Sequence, residues 1–188
     1  MKKIIFLLVA LVASMGIQAQ TSGEKKVERE LSRAERRALQ QKIDSVQWAE
    51  AMQAVADTAF TLEADHVVFK YGQRAYVSPT TNFVKVGGGR ATVQVSFNIP
   101  VAGPNGMGGV TVDGTVTGYD VKTDKRGTAY VTLNVMGIGI SAQLMITMLK
   151  GSNQASIDIL PNFNSNRLTL EGTILPPSKS FVVKGRSL

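Results

Sequence analysis

The chain has 188 residues and no cysteine, so disulfide frameworks, thiolate metal sites and cysteine nucleophiles are excluded. It has one histidine, His66. That excludes a multi-histidine metal cage and leaves a single imidazole for any Ser-His-Asp triad. Aromatic residues make up only 6%. No Lys/Arg run is interleaved with aromatics, and nucleic acid is not an expected partner. Past the first 19 residues, no stretch approaches the ~18 apolar residues of a transmembrane helix. No segment repeats with a period of roughly 20–50 residues, which argues against a solenoid or propeller.

The opening residues carry the clearest signal. Met1-Lys2-Lys3 is basic, Ile4 to Ile17 is uncharged and largely apolar, and small Ala19 precedes Gln20. This is the three-part pattern of a secretory signal, with cleavage expected near Ala19. As a helix the apolar stretch reaches only ~21 Å, short of the ~30 Å hydrocarbon core. A lipoprotein would need a cysteine at the cut. The expectation is an exported chain, periplasmic or envelope-associated, with no transmembrane segment left in the mature form.

The formal net charge is +7, or +5 without Lys2 and Lys3. Residues 20–57 carry seven basic and seven acidic side chains, so the surplus lies in 58–188. There Lys70, Arg90, Lys125, Arg126, Lys150, Arg167 and Lys184 are scattered. They read as solubilising charge rather than as a patch for anionic lipid or acidic polysaccharide.

The expected organisation is a signal peptide over 1–19, a helical arm over 20–57 and an antiparallel β domain over 58–188. The arm is rich in Glu, Arg, Gln, Lys and Ala, all good helix formers. Its first half is charged nearly all round and is expected to project. A stripe of Leu39, Ile43, Val46, Ala49, Met52 and Val55/Ala56 is expected to pack residues 39–57 on the body.

From Phe60 the period becomes two. Ala91, Val93 and Val95 alternate with Thr92, Gln94 and Ser96. Ala129, Val131, Leu133 and Val135 alternate with Tyr130, Thr132 and Asn134. Ile138 to Met148 gives the longest one-sided run. One apolar and one polar face implies antiparallel strands around one core. Turn signals separate the runs at Gly87-Gly88-Gly89, Thr123 to Gly127, Gly151-Ser152-Asn153 and Asn162 to Asn166. The reading is a mainly β fold: an antiparallel barrel or two-sheet sandwich of eight or nine strands, with an N-terminal helix over an open end or edge.

Motifs that suggest chemistry are few. Gly103-Pro104-Asn105-Gly106-Met107-Gly108-Gly109 resembles a phosphate loop, but Gly109 stands where Lys is needed and a strand follows. It reads as a flexible loop. If any loop gates a ligand, the site is expected at Gly103, Pro104, Asn105, Gly106, Gly108 and Gly109. Gly114, Gly118 and Gly172 fall on or near apolar strand faces, where they either permit tight packing or leave a cavity. Asp120, Asp124 and Gly127 have the wrong spacing for calcium and read as a turn. Glu63, Asp65 and His66 lie close in a strand, so Glu63 and Asp65 share one face and His66 points to the other. Paired carboxylates there would suit a glycan hydrolase, but the same spacing is that of a solvated strand face, which is the preferred reading. No catalytic residue, metal ligand or cofactor site is assigned.

Several separated segments also carry a family resemblance. They are Gly103-Pro104-Asn105-Gly106, Gly137 to Ala142, Lys150-Gly151-Ser152-Asn153, Pro161 to Thr169, and Lys184-Gly185-Arg186-Ser187-Leu188. Together they resemble domain-of-unknown-function family 4251, small exported proteins of Bacteroides-type bacteria, over about residues 30–188. The resemblance implies export and a β-rich domain and brings no activity with it. The leading expectation is therefore a non-enzymatic periplasmic or envelope-associated β-protein that binds an envelope partner or a small apolar ligand. The alternatives are a carboxylate-dependent hydrolase acting on envelope glycans and a small outer-membrane β-barrel.

Overall fold

The computed structural model describes residues 32–96, 109–138, 141–162 and 167–187. The expected signal peptide, most of the Gly103–Gly109 loop and residues 163–166 lie outside them. The chain divides into two units, Met1–Ile43 and Asp44–Leu188.

In the first unit residues 32–43 are helical. Leu39 is 60% exposed and Ile43 is 41% exposed. In the second unit residues 44–56 are helical. Here the buried stripe is not the expected one, since Val46 is 59% exposed. Ala51, Ala54 and Val55 are buried, and Trp48 and Met52 pack against the core. Trp48, Ala51, Met52 and Val55 follow the i, i+3, i+4, i+7 spacing of one helix face. The two alanines let the helix backbone come close to the strands. The helix ends at Thr58, which adopts the left-handed conformation with φ 53°. Thr58 N–H donates to the Val55 carbonyl and Ala59 N–H to the Ala54 carbonyl. This is a Schellman cap with threonine at the position usually given to glycine.

Among the described residues nine strands follow: β1 (Phe60–Phe69), β2 (Arg74–Tyr76), β3 (Phe83–Gly87), β4 (Arg90–Ser96), β5 (Gly109–Thr123), β6 (Ala129–Gly137), β7 (Ser141–Met148), β8 (Gln154–Pro161) and β9 (Leu168–Leu175). All pairings are antiparallel, in the order β2-β1-β3-β4-β5-β6-β7-β8-β9, and β1 also pairs with β9. That last pairing closes eight strands into a barrel and leaves β2 as an extra strand beside β1. The fold is therefore the barrel, not the sandwich. Gly88 and Gly89 form the whole β3–β4 turn, both at positive φ, as a two-residue turn between twisted strands requires. The Asp124 turn is also as expected. Its carboxylate accepts from the Arg126 and Thr128 backbone N–H groups, and these bonds hold it below the usual carboxylate range.

The interior is filled by side chains, including Phe60, Leu62, Leu133, Leu144, Ile146, Met148, Ile157, Leu170 and Ile174, all 2% exposed or less. An eight-stranded barrel is about the width that side chains alone can fill. The expected run beginning at Ile138 starts later, because Ile138 is exposed between β6 and β7.

Residues 176–187 follow β9 and run over the outside of the barrel as a strap. It begins as a 3₁₀ turn, Pro177–Lys179. Lys179 Nζ reaches Glu50 at 2.6 Å. Ser180 Oγ–H and Phe181 N–H donate to the Glu63 carboxylate at 2.8 and 3.0 Å. Val183 N–H donates to the Thr80 carbonyl. Lys184 Nζ meets Asp113 at 2.5 Å. Under this strap Gln94 and Thr111 are 0% exposed, although both belong to the polar strand faces.

Candidate functional site

Of the two readings of the strand-face glycines, tight packing holds at Gly114 and Gly172, and Gly109 is packed in the same way. A Cβ on Gly114 would lie 2.6 Å from Val135 Cγ1. One on Gly109 would lie 1.8 Å from the Val95 carbonyl oxygen, and one on Gly172 would lie 1.9 Å from the Glu63 carbonyl oxygen. These are points where backbones touch. Of the expected loop site, Gly109 is seated in the sheet opposite Ser96. Gly103, Pro104, Asn105, Gly106 and Gly108 lie outside the described residues.

Gly172 is nevertheless where a site is built. The β1–β9 register pairs Ala64 with Gly172 and His66 with Glu171, so Asp65 is an extra residue on β1. This β-bulge lies where β1 changes partner on its other edge, from β3 to β2. Because Gly172 has no side chain, the bulged backbone can sit directly against it. A bulge also shifts the phase of a strand. Phe60, Leu62 and Ala64 point inward, and the next buried apolar residue is Val67, not His66. The expected placing of Asp65 and His66 on opposite faces is thus corrected. His66 Nδ1 and Asp65 Oδ1 are 2.6 Å apart. The Glu63 carboxylate, half of the pair that the hydrolase alternative would use, is occupied by the strap.

Around the bulge, cross-strand registers bring further polar residues together on the outer surface. Tyr76 on β2 opposes His66, Glu171 on β9 flanks it, Ser156 on β8 opposes Glu171, and Thr147 on β7 opposes Ser156. Arg74 on β2 forms an ion pair with Glu171. The Tyr76 ring lies on the His66 ring, centroids 4.2 Å apart and tilted by 50°. Beside the Tyr76–His66 contact is an open cleft of about 420 Å³, lined by Asp65, His66, Arg74, Gln154, Ser156 and Glu171, with Thr147, Leu149, Ala155 and Gly172. That size is within the ~300–1,000 Å³ of small-ligand sites. Among the described residues, no group of three or more His, Asp or Glu side chains could hold a metal ion.

Sequence reasoning found Asp65 and His66 but missed Arg74, Tyr76, Ser156 and Glu171. Their proximity depends on strand registers that the sequence does not print. One local signal was available. The buried apolar spacing changes from two to three between Ala64 and Val67, and that phase break is the bulge.

The architecture defines a class: a closed antiparallel β-barrel with a packed interior and a polar cleft outside. Within that class the chain belongs to the family described as domain of unknown function DUF4251, whose model matches residues 42–174. A solved structure with a TM-score of 0.66 is a DUF4251 family protein from Bacteroides eggerthii DSM 20697. It is 50% identical, and the match covers 74% of this chain and 94% of that one. No curated protein matches the chain. The family match ends before the strap, whose closing residues Lys184 to Ser187 nonetheless carry three of its attachments.

Proposed function

We propose that this chain is an exported, non-enzymatic binding protein of the cell envelope that engages its ligand on the outside of the barrel. The observation that carries this reading is the cleft. It converges charged and polar side chains from β1, β2, β8 and β9 beside an exposed tyrosine. Groups fixed on strands are already positioned before a ligand arrives, which lowers the cost of binding. The filled interior favours a polar ligand or partner outside over an apolar ligand held within. The distribution of polarity also runs against a lipid-facing barrel, which needs an apolar outer band. Here the outward row is Tyr76, His66, Glu171, Ser156, Thr147, Tyr130 and Lys122. Export rests on the basic, apolar and small-residue pattern of residues 1–19, and its check is a mature N-terminus near Gln20.

The test is native mass spectrometry of protein purified from its own envelope, compared with Ser156→Trp. Ser156 points outward, so the indole fills the cleft without entering the core. A non-covalent mass retained by the wild type and lost in the variant is the expected result. A mass retained equally by both, or none in either, overturns the cleft as the binding site.

A further inference from the structure

We infer that the cleft takes a neutral saccharide, recognised by the Tyr76 ring and by the planar polar groups of Asp65, Arg74 and Glu171; this rests on the cleft being the binding site. The charges in the cleft are already engaged with one another. Arg74 is paired with Glu171, and Asp65 is held by His66 Nδ1. An anionic ligand would have to take Arg74 from Glu171 and approach two carboxylates. A cationic ligand would have to take a carboxylate from its partner and face the guanidinium. Neutral hydroxyl groups need neither exchange. A carboxylate has about four lone-pair sites and a guanidinium five N–H donors, so each can serve its partner and a ligand together. Hydroxyls both donate and accept, which suits a site that offers both.

Tyr76 supplies an apolar surface next to the cleft, outside its lining and joined to it through His66. It is 85% exposed, yet its ring is braced on His66. A flat apolar surface held beside planar hydrogen-bonding groups fits a pyranose, which has an apolar C–H face and a polar rim. Aromatic side chains with one apolar and one polar aspect are suited to such contacts. The amide of Gln154 and the hydroxyls of Ser156 and Thr147 extend the polar rim across β8 and β7.

The experiment is a backbone-amide NMR titration of the full chain with three neutral disaccharides: maltose, cellobiose and diacetylchitobiose. Choline and oligogalacturonate serve as charged probes. At least one neutral sugar should shift the amides of residues 65–66, 154–156 and 171–172. Tyr76→Ala should weaken that binding about tenfold, as expected for an aromatic anchor, whereas Tyr76→Phe should bind like the wild type. Tyr76 is exposed, so both variants should fold. If only choline or oligogalacturonate shifts these amides, the saccharide is the wrong class and the cleft remains a binding site. If no probe shifts them, the saccharide inference fails, and the Ser156→Trp comparison decides separately whether the cleft binds anything.

Discussion

Two regions of the outer surface begin alike and end differently. On β4 and β5 the outward residues are Thr92, Gln94, Thr111 and Asp113. On β1, β8 and β9 they are His66, Ser156 and Glu171. Both sets are the polar half of an ordinary strand alternation. The first is covered by the chain's own C-terminal strap. There the Gln94 amide donates to the carbonyls of Thr81 and Val183 at 3.0 and 2.9 Å, and accepts from Thr111 Oγ–H and Gly185 N–H at 2.9 and 2.8 Å. All of its hydrogen-bonding capacity is used. The second has no such cover and forms the cleft. Polarity on a strand thus does not specify solvent. It specifies a need for partners, which the first face finds in the strap and the second finds in its own neighbours, Arg74 with Glu171 and Asp65 with His66, around an open cleft.

The largest expected effect tests the backbone contact that makes the open face. Gly172→Ala would place a Cβ 1.9 Å from the Glu63 carbonyl oxygen and 2.7 Å from Ala64 Cα. Neither atom is a flexible side-chain end, so the bulge must move. Overpacking of this kind costs about 3 kcal/mol, read by denaturant unfolding. The Asp65–His66 contact should go with it. Gly87→Ala is the control, because nothing lies within 4 Å of its Cβ position. It should change stability by less than about 0.5 kcal/mol. Equal effects would remove the special role given to the bulge.

Next in size is a comparison of two glutamines that both point outward. Gln94→Ala strips partners from buried Thr111 and from the strap, at about 2–3 kcal/mol. Gln143 on β7 is exposed, and Gln143→Ala should be nearly neutral. Thermal melts of the two variants check this. Similar melting temperatures would mean that the strap is not what distinguishes the faces.

These differences explain what was legible in advance. The alternation at Ala91–Val95, Ala129–Val135 and Leu144–Met148 marked the core strands, because each buried residue left an apolar letter at period two. Barrel closure was not legible, since it depends on β1 meeting β9 about a hundred residues later in the chain. The strap was not legible either. Its anchors are hydrogen bonds and two ion pairs, which bury polar side chains and leave no hydrophobic period. The helix misled for a related reason. Val46 is larger than Ala51 and Ala54, but the small residues allow the close approach.

A smaller effect is set by pH and belongs to the covered face alone. Burial raises the Asp113 carboxyl, but hydrogen bonds from Lys184, Thr92 and Ser187 and the charge of Lys184 outweigh it, leaving it below its ordinary 3.8. A lowered folded value stabilises fully above the unfolded value and loses that contribution as pH falls through the folded one. The strap end should therefore stay seated above pH 3.8 and loosen below it. The Gly185 amide resonance, followed by NMR against pH, reports this. Asp113→Asn should loosen the end already at neutral pH and abolish the acid step. An unchanged acid step in that variant would assign the loosening to another carboxylate.

The smallest expected effect on stability is on the open face and decides what that face is for. Arg74 and Glu171 form an ion pair whose side chains are 55% and 35% exposed. Exposed pairs contribute about 0–1 kcal/mol, so Arg74→Met should shift stability by about 0.5 kcal/mol or less. Its alkyl chain is kept, so packing on β2 is little changed. Yet the variant removes the main donor in the cleft and leaves Glu171 without its cation. A neutral ligand then loses hydrogen bonds from the guanidinium, and binding should weaken far more than folding does. That separation is the mark of a surface arranged for a ligand. If Arg74→Met instead destabilised the barrel as much as Gln94→Ala, the pair would be holding β2 in place. The open face would then be a second structural seam, held by ions where the first is held by the strap.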